Sequence, residues 1–209
     1  MDIRAFFLTL VVVPLAACSG SYQPVTGTAG APGSRRADQG AAACVDFNQP
    51  GLGTEFGGAA SSPSGSLAWT ENAIPVSVEE FEQGAGSTAY NVLRTEIPPA
   101  GFGLSDGTTA RANSIGARFD FTGLPFAART VRFHFLHRGG TENLRVNGSR
   151  AFVGPLTAAP ASLGGLTVAA ASSPVAGGSQ GTITVSGGVI GAVVVGGEEL
   201  WLDSVCAYA

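Results

Sequence analysis

Short runs that alternate apolar and polar side chains, separated by glycine-rich turns, constrain the fold of this chain more than any other feature of its sequence. Apolar residues occupy every second position in 74–78, 117–121 and 182–185. Successive side chains of a β-strand point to opposite faces, so this period is typical of strands with one buried face. Glycine supplies 31 of the 209 residues and disfavours helices. The sequence therefore predicts an all-β domain.

The first 17 residues have the composition of a secretory signal peptide. Arg4 supplies a positive charge, and residues 5–17 are apolar apart from Thr9. This stretch is shorter than the roughly 20 residues that a membrane-spanning helix needs. It ends in Leu15-Ala16-Ala17-Cys18, which resembles the lipobox of bacterial lipoproteins. The resemblance implies cleavage after residue 17 and a lipid on the thiol of Cys18; the alternative is an uncleaved signal anchor with an ordinary buried cysteine.

The lipobox also predicts where the protein lies. Two or three acyl chains together give stable attachment to a membrane. Ser19 follows the cysteine, whereas an Asp there is the usual signal for retention at the inner membrane in enteric bacteria. We therefore expect a lipid-anchored protein of the cell envelope, at the outer membrane. Residues 18–43 are rich in Gly, Ala, Ser, Pro and Thr and predict a flexible tether, and residues 44–209 predict one folded domain.

Charge is distributed unevenly along the chain. The net charge of −4 does not favour binding to nucleic acid. Seven of the eleven arginines lie in 111–150, while 71–96 is acidic. Arginine forks bind carboxylates and phosphates well, which suggests an acidic polysaccharide or a lipopolysaccharide phosphate as ligand. The alternative is that the two segments neutralise each other across neighbouring strands.

Residues 131–148 predict a β-hairpin. A two-residue turn at Gly139-Gly140 pairs Phe135 with Leu144, so that the apolar side chains of both strands share one face. The polar side chains then share the opposite face, and these are Arg132, His134, Arg138, Asn143 and Arg145.

Cys44 and Cys206 are the two cysteines that remain once Cys18 is assigned to the anchor. In an oxidising compartment they predict a disulfide. Such a bond places the first and last strands side by side, as in jelly-roll sandwiches. The alternative is two unpaired buried thiols.

Several motifs resemble a group of uncharacterised exported bacterial domains that end in GGQELW(I/L)D-x-(V/F)C. The matching segments are 44–47, 53–54, Asn113, 119–121, 139–144, 146–148 and 196–206, where Glu198 replaces the usual Gln. The resemblance covers nearly all of 44–206. It implies an all-β, two-sheet antiparallel β-sandwich of the galactose-binding-like jelly-roll type, the architecture of many carbohydrate-binding modules.

Carbohydrate-binding jelly rolls often hold a structural Ca²⁺ between the first and last strands, and the resemblance implies Asp203 and Asn48 as its ligands here. Asn48 stands where a Glu is typical, and an amide is the weaker ligand. The alternative for Asp203 is a turn cap or an ion pair. No other cofactor is expected.

Aromatic side chains that stack on sugar rings, flanked by polar groups, are typical of glycan sites. Trp69 lies in a polar stretch and is predicted to be exposed, whereas Trp201 is predicted to be in the core. With Arg132, His134 and Arg145 from the polar hairpin face, Trp69 forms the predicted ligand site.

Enzyme signatures are weak. The segment 177–181 matches the G-x-S-x-G pattern but lacks the strand, turn and helix that the pattern requires. His134 and His137 are predicted on opposite faces of a strand, which prevents joint metal binding. The glutamates at 79, 80 and 82 could supply the two carboxylates of a glycoside hydrolase, but the sequence does not fix the distance between them.

We therefore expect a non-catalytic domain that binds a glycan or an envelope polymer. The alternative is a structural or adhesive lipoprotein that acts through protein contacts.

Overall fold

A computed structural model describes residues 41–105 and 107–209 of the protein, with Ala59 described by its backbone only. The predicted signal peptide 1–17, Cys18 and most of the predicted tether lie outside the described residues. In the described part, no helix is long and apolar enough to cross a lipid bilayer.

The described residues form 17 strands and two single-turn 3₁₀ helices, Gly58–Ala60 and Leu156–Ala158. The strands are β1 (Ala42–Val45), β2 (Glu55–Gly57), β3 (Leu67–Glu71), β4 (Ile74–Glu79), β5 (Phe81–Gly84), β6 (Ser87–Ala89), β7 (Val92–Glu96), β8 (Thr109–Asn113), β9 (Ile115–Asp120), β10 (Thr130–His137), β11 (Glu142–Val146), β12 (Phe152–Val153), β13 (Ser162–Leu163), β14 (Leu166–Val175), β15 (Gly178–Ser186), β16 (Ala192–Gly197) and β17 (Leu200–Tyr208).

The strands form two sheets that pack face to face. Sheet A has the order β13-β14-β15-β10-β17-β8-β7-β2, with β1 also paired to β17, and sheet B has the order β12-β11-β16-β9-β4-β3. A separate hairpin, β5–β6, completes the strand set, and all pairs of described strands are antiparallel. The prediction of an all-β, two-sheet antiparallel sandwich is confirmed.

The alternating runs in the sequence form strands, as predicted, and each contributes one face to the core. In β4, every second residue from Ile74 to Val78 is fully buried. The same alternation occurs in β9 and in β15. The largest side chains fully buried in the main core include Phe47, Phe119, Phe133, Phe135, Ile74, Leu93, Ile115, Leu144, Leu156 and Ile183.

The first and last strands lie side by side. Cys44 on β1 stands directly opposite Cys206 on β17, and the two form a disulfide. The predicted pairing is confirmed. The bond spans 162 residues of sequence, and in the chain-entropy model a loop of this length stabilises the fold by roughly 4–5 kcal/mol. Strand β1 begins at Ala42, two residues before the boundary predicted from composition.

The predicted hairpin across 131–148 is wrong. Strand β10 belongs to sheet A, where it pairs with β15 and β17, whereas β11 belongs to sheet B, where it pairs with β12 and β16. The link between them, which contains Gly139-Gly140, therefore passes from one sheet to the other. Arg132 and His134 thus lie on a different sheet from Arg145, and the predicted polar face does not exist.

Burial explains this difference. Phe133 and Phe135 of β10 and Leu144 and Val146 of β11 are fully buried in one cluster, as the hairpin prediction required. Two strands can bury their apolar faces side by side in one sheet or face to face across a sandwich, and both arrangements have the same alternation. In sheet A, β10 forms long hydrogen-bonded ladders with β15 on one side and β17 on the other, whereas a two-stranded hairpin would pair only one of its sides.

Candidate functional site

A polar cleft of about 320 Å³ opens on the outer side of sheet B, beside the β5–β6 hairpin. We call it the acidic cleft, because glutamates supply most of its charge. The residues that line it are Ser64, Gly65, Glu79, Glu80, Glu82, Thr88 and Arg145.

A row of residues across sheet B lies beside the cleft. Glu79, Gly116, Gly196 and Asn143 form this row across β4, β9, β16 and β11. A Cβ on Gly116 would lie 3.4 Å from the carbonyl oxygen of Glu79 and 3.5 Å from that of Glu80, which is van der Waals contact. The chain that follows β4 therefore lies directly over Gly116, with the carboxylates of Glu80 and Glu82 at the cleft.

Asn143 attaches the β5–β6 hairpin to sheet B. Its Nδ2 donates to the carbonyl oxygen of Glu82 at 2.7 Å, and its Oδ1 accepts from the backbone N–H of Glu82 at 2.6 Å. The Asn143 side chain is buried, so both bonds are shielded from water. This two-point attachment fixes the backbone of Glu82 and with it one wall of the cleft.

The charges of the cleft divide into a paired and an unpaired set. Glu79 contacts the guanidinium of Arg145 and lies 3.8 Å from that of Arg118, which in turn lies 3.1 Å from Asp120. Part of the arginine-rich segment is thus neutralised by the acidic segment, as the alternative from the sequence predicted.

The carboxylates of Glu80 and Glu82 form the unpaired set. Among the described residues, neither carboxylate accepts a hydrogen bond or makes an ion pair. Ionised carboxylates accept hydrogen bonds from hydroxyl and ammonium groups. The cleft therefore offers two acceptor groups beside a fixed Arg145–Glu79 pair.

Trp69 does not form the exposed stacking platform that was predicted. Its ring is half-buried and lies 6.0 Å from the ring of Phe47 and 5.1 Å from that of Phe56. Its Nε1 donates to the carboxyl of Glu71 at 3.3 Å. The polar sequence around Trp69 misled the prediction because the apolar partners of its ring come from distant segments.

Arg132 and His134 lie on the outer face of sheet A. The guanidinium of Arg132 stands over the ring of Tyr208 at 5.9 Å, and Nδ1 of His134 lies 2.9 Å from the hydroxyl of Thr182. Because Arg145 lies on sheet B, the structure does not bring the four predicted ligand residues together. Arg145 alone lines the acidic cleft.

Trp201 is buried, as predicted, but outside the main core. It belongs to a small cluster with Phe102 and Leu136 on the outer side of sheet A. The guanidinium groups of Arg111 and Arg138 lie 5.0 Å and 5.5 Å from its ring centre. Two more arginines of the basic segment thus have an aromatic partner within the fold.

The two residues implied as calcium ligands differ in their surroundings. Asn48 is exposed just after β1, whereas Asp203 is fully buried on β17 and accepts the backbone N–H of Ser204 at 2.6 Å. The described residues contain no group of three or more His, Cys, Asp or Glu side chains arranged to hold a metal. Calcium takes six to eight oxygen ligands, so these two residues supply only a small part of such a site, and calcium stays a prediction.

Asp46 and Glu71 are hydrogen-bonded to each other beside Trp69. The bond from Glu71 lowers the pKa of Asp46, while burial and the adjacent Asp46 raise the pKa of Glu71 to about 7. Glu71 is therefore the member that holds the proton of the pair. Because Glu71 is only 3% exposed, a ligand has no access to it, and the pair acts on the stability of the fold.

A serine, a histidine and a glutamate also come together, which the sequence did not predict. Ser179 stands opposite His137 in the β10–β15 ladder, and Nδ1 of His137 lies 2.9 Å from the fully buried Glu142. The hydroxyl of Ser179 is shielded from solvent and has no hydrogen-bond partner among the described residues. A nucleophile must reach the carbonyl of a substrate, so the shielded Ser179 hydroxyl lacks the access that the serine of a hydrolase triad has. His134 and His137 lie on opposite faces, as predicted.

Comparison of the chain with protein-family models, curated proteins and solved structures gives no match. The resemblance to exported jelly-roll domains therefore rests on the quoted motifs alone. Those motifs do have a structural explanation, since Asn143 attaches the β5–β6 hairpin and Glu198 accepts the backbone N–H of Thr141 at 3.2 Å. The sequence signal for the cleft was the cluster of glutamates at 79, 80 and 82, which resembled an ordinary solvated face.

Proposed function

We propose that this protein is a lipid-anchored, non-catalytic binding domain of the cell envelope, and that the acidic cleft recognises a glycan. The observation that carries the proposal is the pair of uncommitted carboxylates, Glu80 and Glu82, held beside Arg145 in a cleft of about 320 Å³. That volume is at the small end of the range for ligand pockets and suits a single sugar unit of a longer polymer.

The charge of the cleft points to the class of glycan. Three glutamates and one arginine line it, so an anionic polymer meets net repulsion. Carboxylates accept hydrogen bonds from sugar hydroxyls and attract the ammonium group of an amino sugar. We therefore expect a neutral or amino-sugar glycan, which replaces the acidic polysaccharide suggested by the arginine-rich segment.

The test is isothermal titration of the domain, residues 41–209, with neutral, amino and acidic polysaccharides. The variant E80Q/E82Q removes both charges and keeps the shape of the side chains. We expect it to lose at least about tenfold in affinity, because hydrogen bonds to charged groups contribute roughly 1.5–3 kcal/mol each.

The matched control is E55Q/E199Q, which makes the same change in charge at two exposed glutamates away from the cleft. We expect its affinity to equal that of the parent domain. Equal losses of affinity in both double variants would show that net charge, and not the cleft, causes the effect. Tightest binding of an acidic glycan would contradict the assignment of the binding site to the cleft.

A structural or adhesive role is the second candidate function. One observation favours it. Strand β14 of sheet A has an open edge, whereas the cleft lies on sheet B.

A further inference from the structure

Strand β14 leaves most of one edge unpaired. On one side it pairs with β15 without interruption from Thr167 to Val175. On the other side β13 pairs only with Leu166 and Thr167, and the N–H of Val168 donates to the carbonyl oxygen of residue 161. Among the described residues, no strand pairs with 169–175 on that side.

The other sheet edges are protected by their geometry. Strand β2 at the far edge of sheet A has three residues, β1, which is paired to β17 alone among the described strands, has four, and β12 at one edge of sheet B has two. Strand β3 at the remaining edge has a register shift between Leu67 and Trp69. Short strands and bulges are the usual devices that prevent one sheet from pairing with another. Strand β14 has ten residues and no register shift, and Pro174, which has no N–H to donate, blocks pairing only near its end.

The edge also lacks charge. The 47 residues of 151–197 contain no Asp, Glu, Lys, Arg or His. Within this segment, residues 169–173 are exposed and consist only of alanine and serine. Charged residues on an edge strand normally repel an incoming strand, and here none is present.

We propose that the edge 169–173 of β14 pairs with the same edge of a second copy of this chain, antiparallel about a two-fold axis near Ala171. This pairing sets Ala170 opposite Ser172 and Ala169 opposite Ser173, so only small, uncharged side chains meet. Pro174, which has no N–H to donate, falls beyond the paired segment.

The distribution of charge selects a second copy as the partner. Two copies that each have a net charge of −4 repel each other least where both surfaces are uncharged, and this edge is such a surface. A charged peptide would find no opposite charge here. Because each copy has one long open edge, the two-fold pairing closes after two chains and does not extend into a fibre. This dimer does not depend on the glycan proposal.

Sedimentation velocity of residues 41–209 over a range of concentrations tests the proposal. This fragment contains both sheets, the whole described core and the disulfide, as a domain that folds alone must. We expect a reversible monomer–dimer equilibrium. The variants Ala171→Asp and Ala171→Arg each place two like charges at the axis, and each should weaken the dimer at least about tenfold.

Mixing the two variants in equal amounts should restore the dimer, because opposite charges then face each other. Ala127→Asp, in an exposed loop, is the matched control and should dimerise like the parent. If the edge variants fold poorly, hydrogen exchange of the parent domain is the deciding measurement, because dimerisation should slow the exchange of amides in 169–173 as the protein concentration rises. A parent domain that stays monomeric, or a dimer unaffected by both charges, would overturn the proposal.

Discussion

Three carboxyl groups are buried in the described part of the chain, and each has a polar partner. Glu71 meets Asp46 and Trp69, and Asp203 accepts the N–H of the next residue. Glu142 lies against His137 and accepts the N–H of Leu156 at 3.0 Å, and burial raises its pKa while both partners act in the opposite direction. A buried charge without such partners is costly, so the fold depends on these contacts.

We expect the free energy of unfolding to fall as the pH rises from 4.5 to 7, because of Glu71. Burial and the adjacent Asp46 raise the pKa of Glu71 from 4.5 to about 7 in the folded chain. A group whose pKa is higher in the folded state stabilises the fold in its protonated form, so this contribution is complete below pH 4.5 and is lost as the pH rises through 7. The loss should be on the order of 3 kcal/mol.

Denaturant unfolding at a series of pH values measures the slope of the free energy of unfolding against pH. Glu71→Gln stays neutral at every pH and should make the slope shallower between pH 4.5 and 7. Glu55→Gln, at an exposed glutamate, should leave the slope unchanged. A slope in Glu71→Gln equal to that of the parent would contradict the assignment to Glu71.

At the scale of elements, the β5–β6 hairpin depends on sheet B for its position. Two hydrogen bonds from Asn143 hold the backbone of Glu82. We expect Asn143→Ala to raise hydrogen exchange at least about tenfold in 81–89, because removing both bonds lowers the free energy of opening by about 1–3 kcal/mol.

The same variant should weaken glycan binding, because the wall of the acidic cleft moves with the hairpin. Ser186→Ala, on strand β15 of sheet A, is the control and should change neither measurement. Normal exchange in 81–89 of Asn143→Ala would show that other contacts fix the hairpin.

The sequence could predict the strands but not their partners. Alternation is a local property, so 74–78, 117–121 and 182–185 were recognised as strands directly. Which strand pairs with which is a long-range property, and β10 and β11 have the same apolar alternation whether they lie side by side or face to face. The cysteines were the exception, because a covalent bond between Cys44 and Cys206 fixes one long-range pair.

The cleft was harder to predict than the strands for the same reason. Its residues come from β4, β5, β6 and β11, from the link between β4 and β5 and from the segment before β3. Beside it, Gly116 and Gly196 meet in one row. Glycine spacing along the chain does not show which glycines become neighbours across a sheet. Trp69 shows the converse, since its polar neighbours in sequence hid its apolar neighbours in space.

At the scale of the whole molecule, the disulfide joins the two ends of the domain. We expect the variant Cys44→Ser/Cys206→Ser to lose about 2–5 kcal/mol in the free energy of unfolding, because the unfolded chain is no longer constrained. Denaturant unfolding measures this loss, and reduction of the parent domain should reproduce it. Equal stability of the oxidised and reduced forms would show that the bond constrains little.

The predicted lipid anchor determines where the molecule lies. We expect Cys18→Ala to release the full-length chain from the membrane fraction of cells, because the thiol that receives the lipid is absent. Ser19→Ala, which changes the next residue and leaves the thiol in place, should stay in that fraction. Membrane attachment of Cys18→Ala would favour an uncleaved signal anchor.

Mapping the bound glycan by amide chemical shifts tests the central claim most directly. Labelled domain 41–209 would be titrated with a neutral or amino-sugar oligosaccharide from the polymer that binds tightest. We expect shifts in 79–82 and at Thr88 and Arg145, with the outer face of sheet A around Arg132 and His134 unchanged. Shifts centred on Arg132 and His134, or saturable binding with no shifts in the acidic cleft, would contradict the assignment of the glycan site.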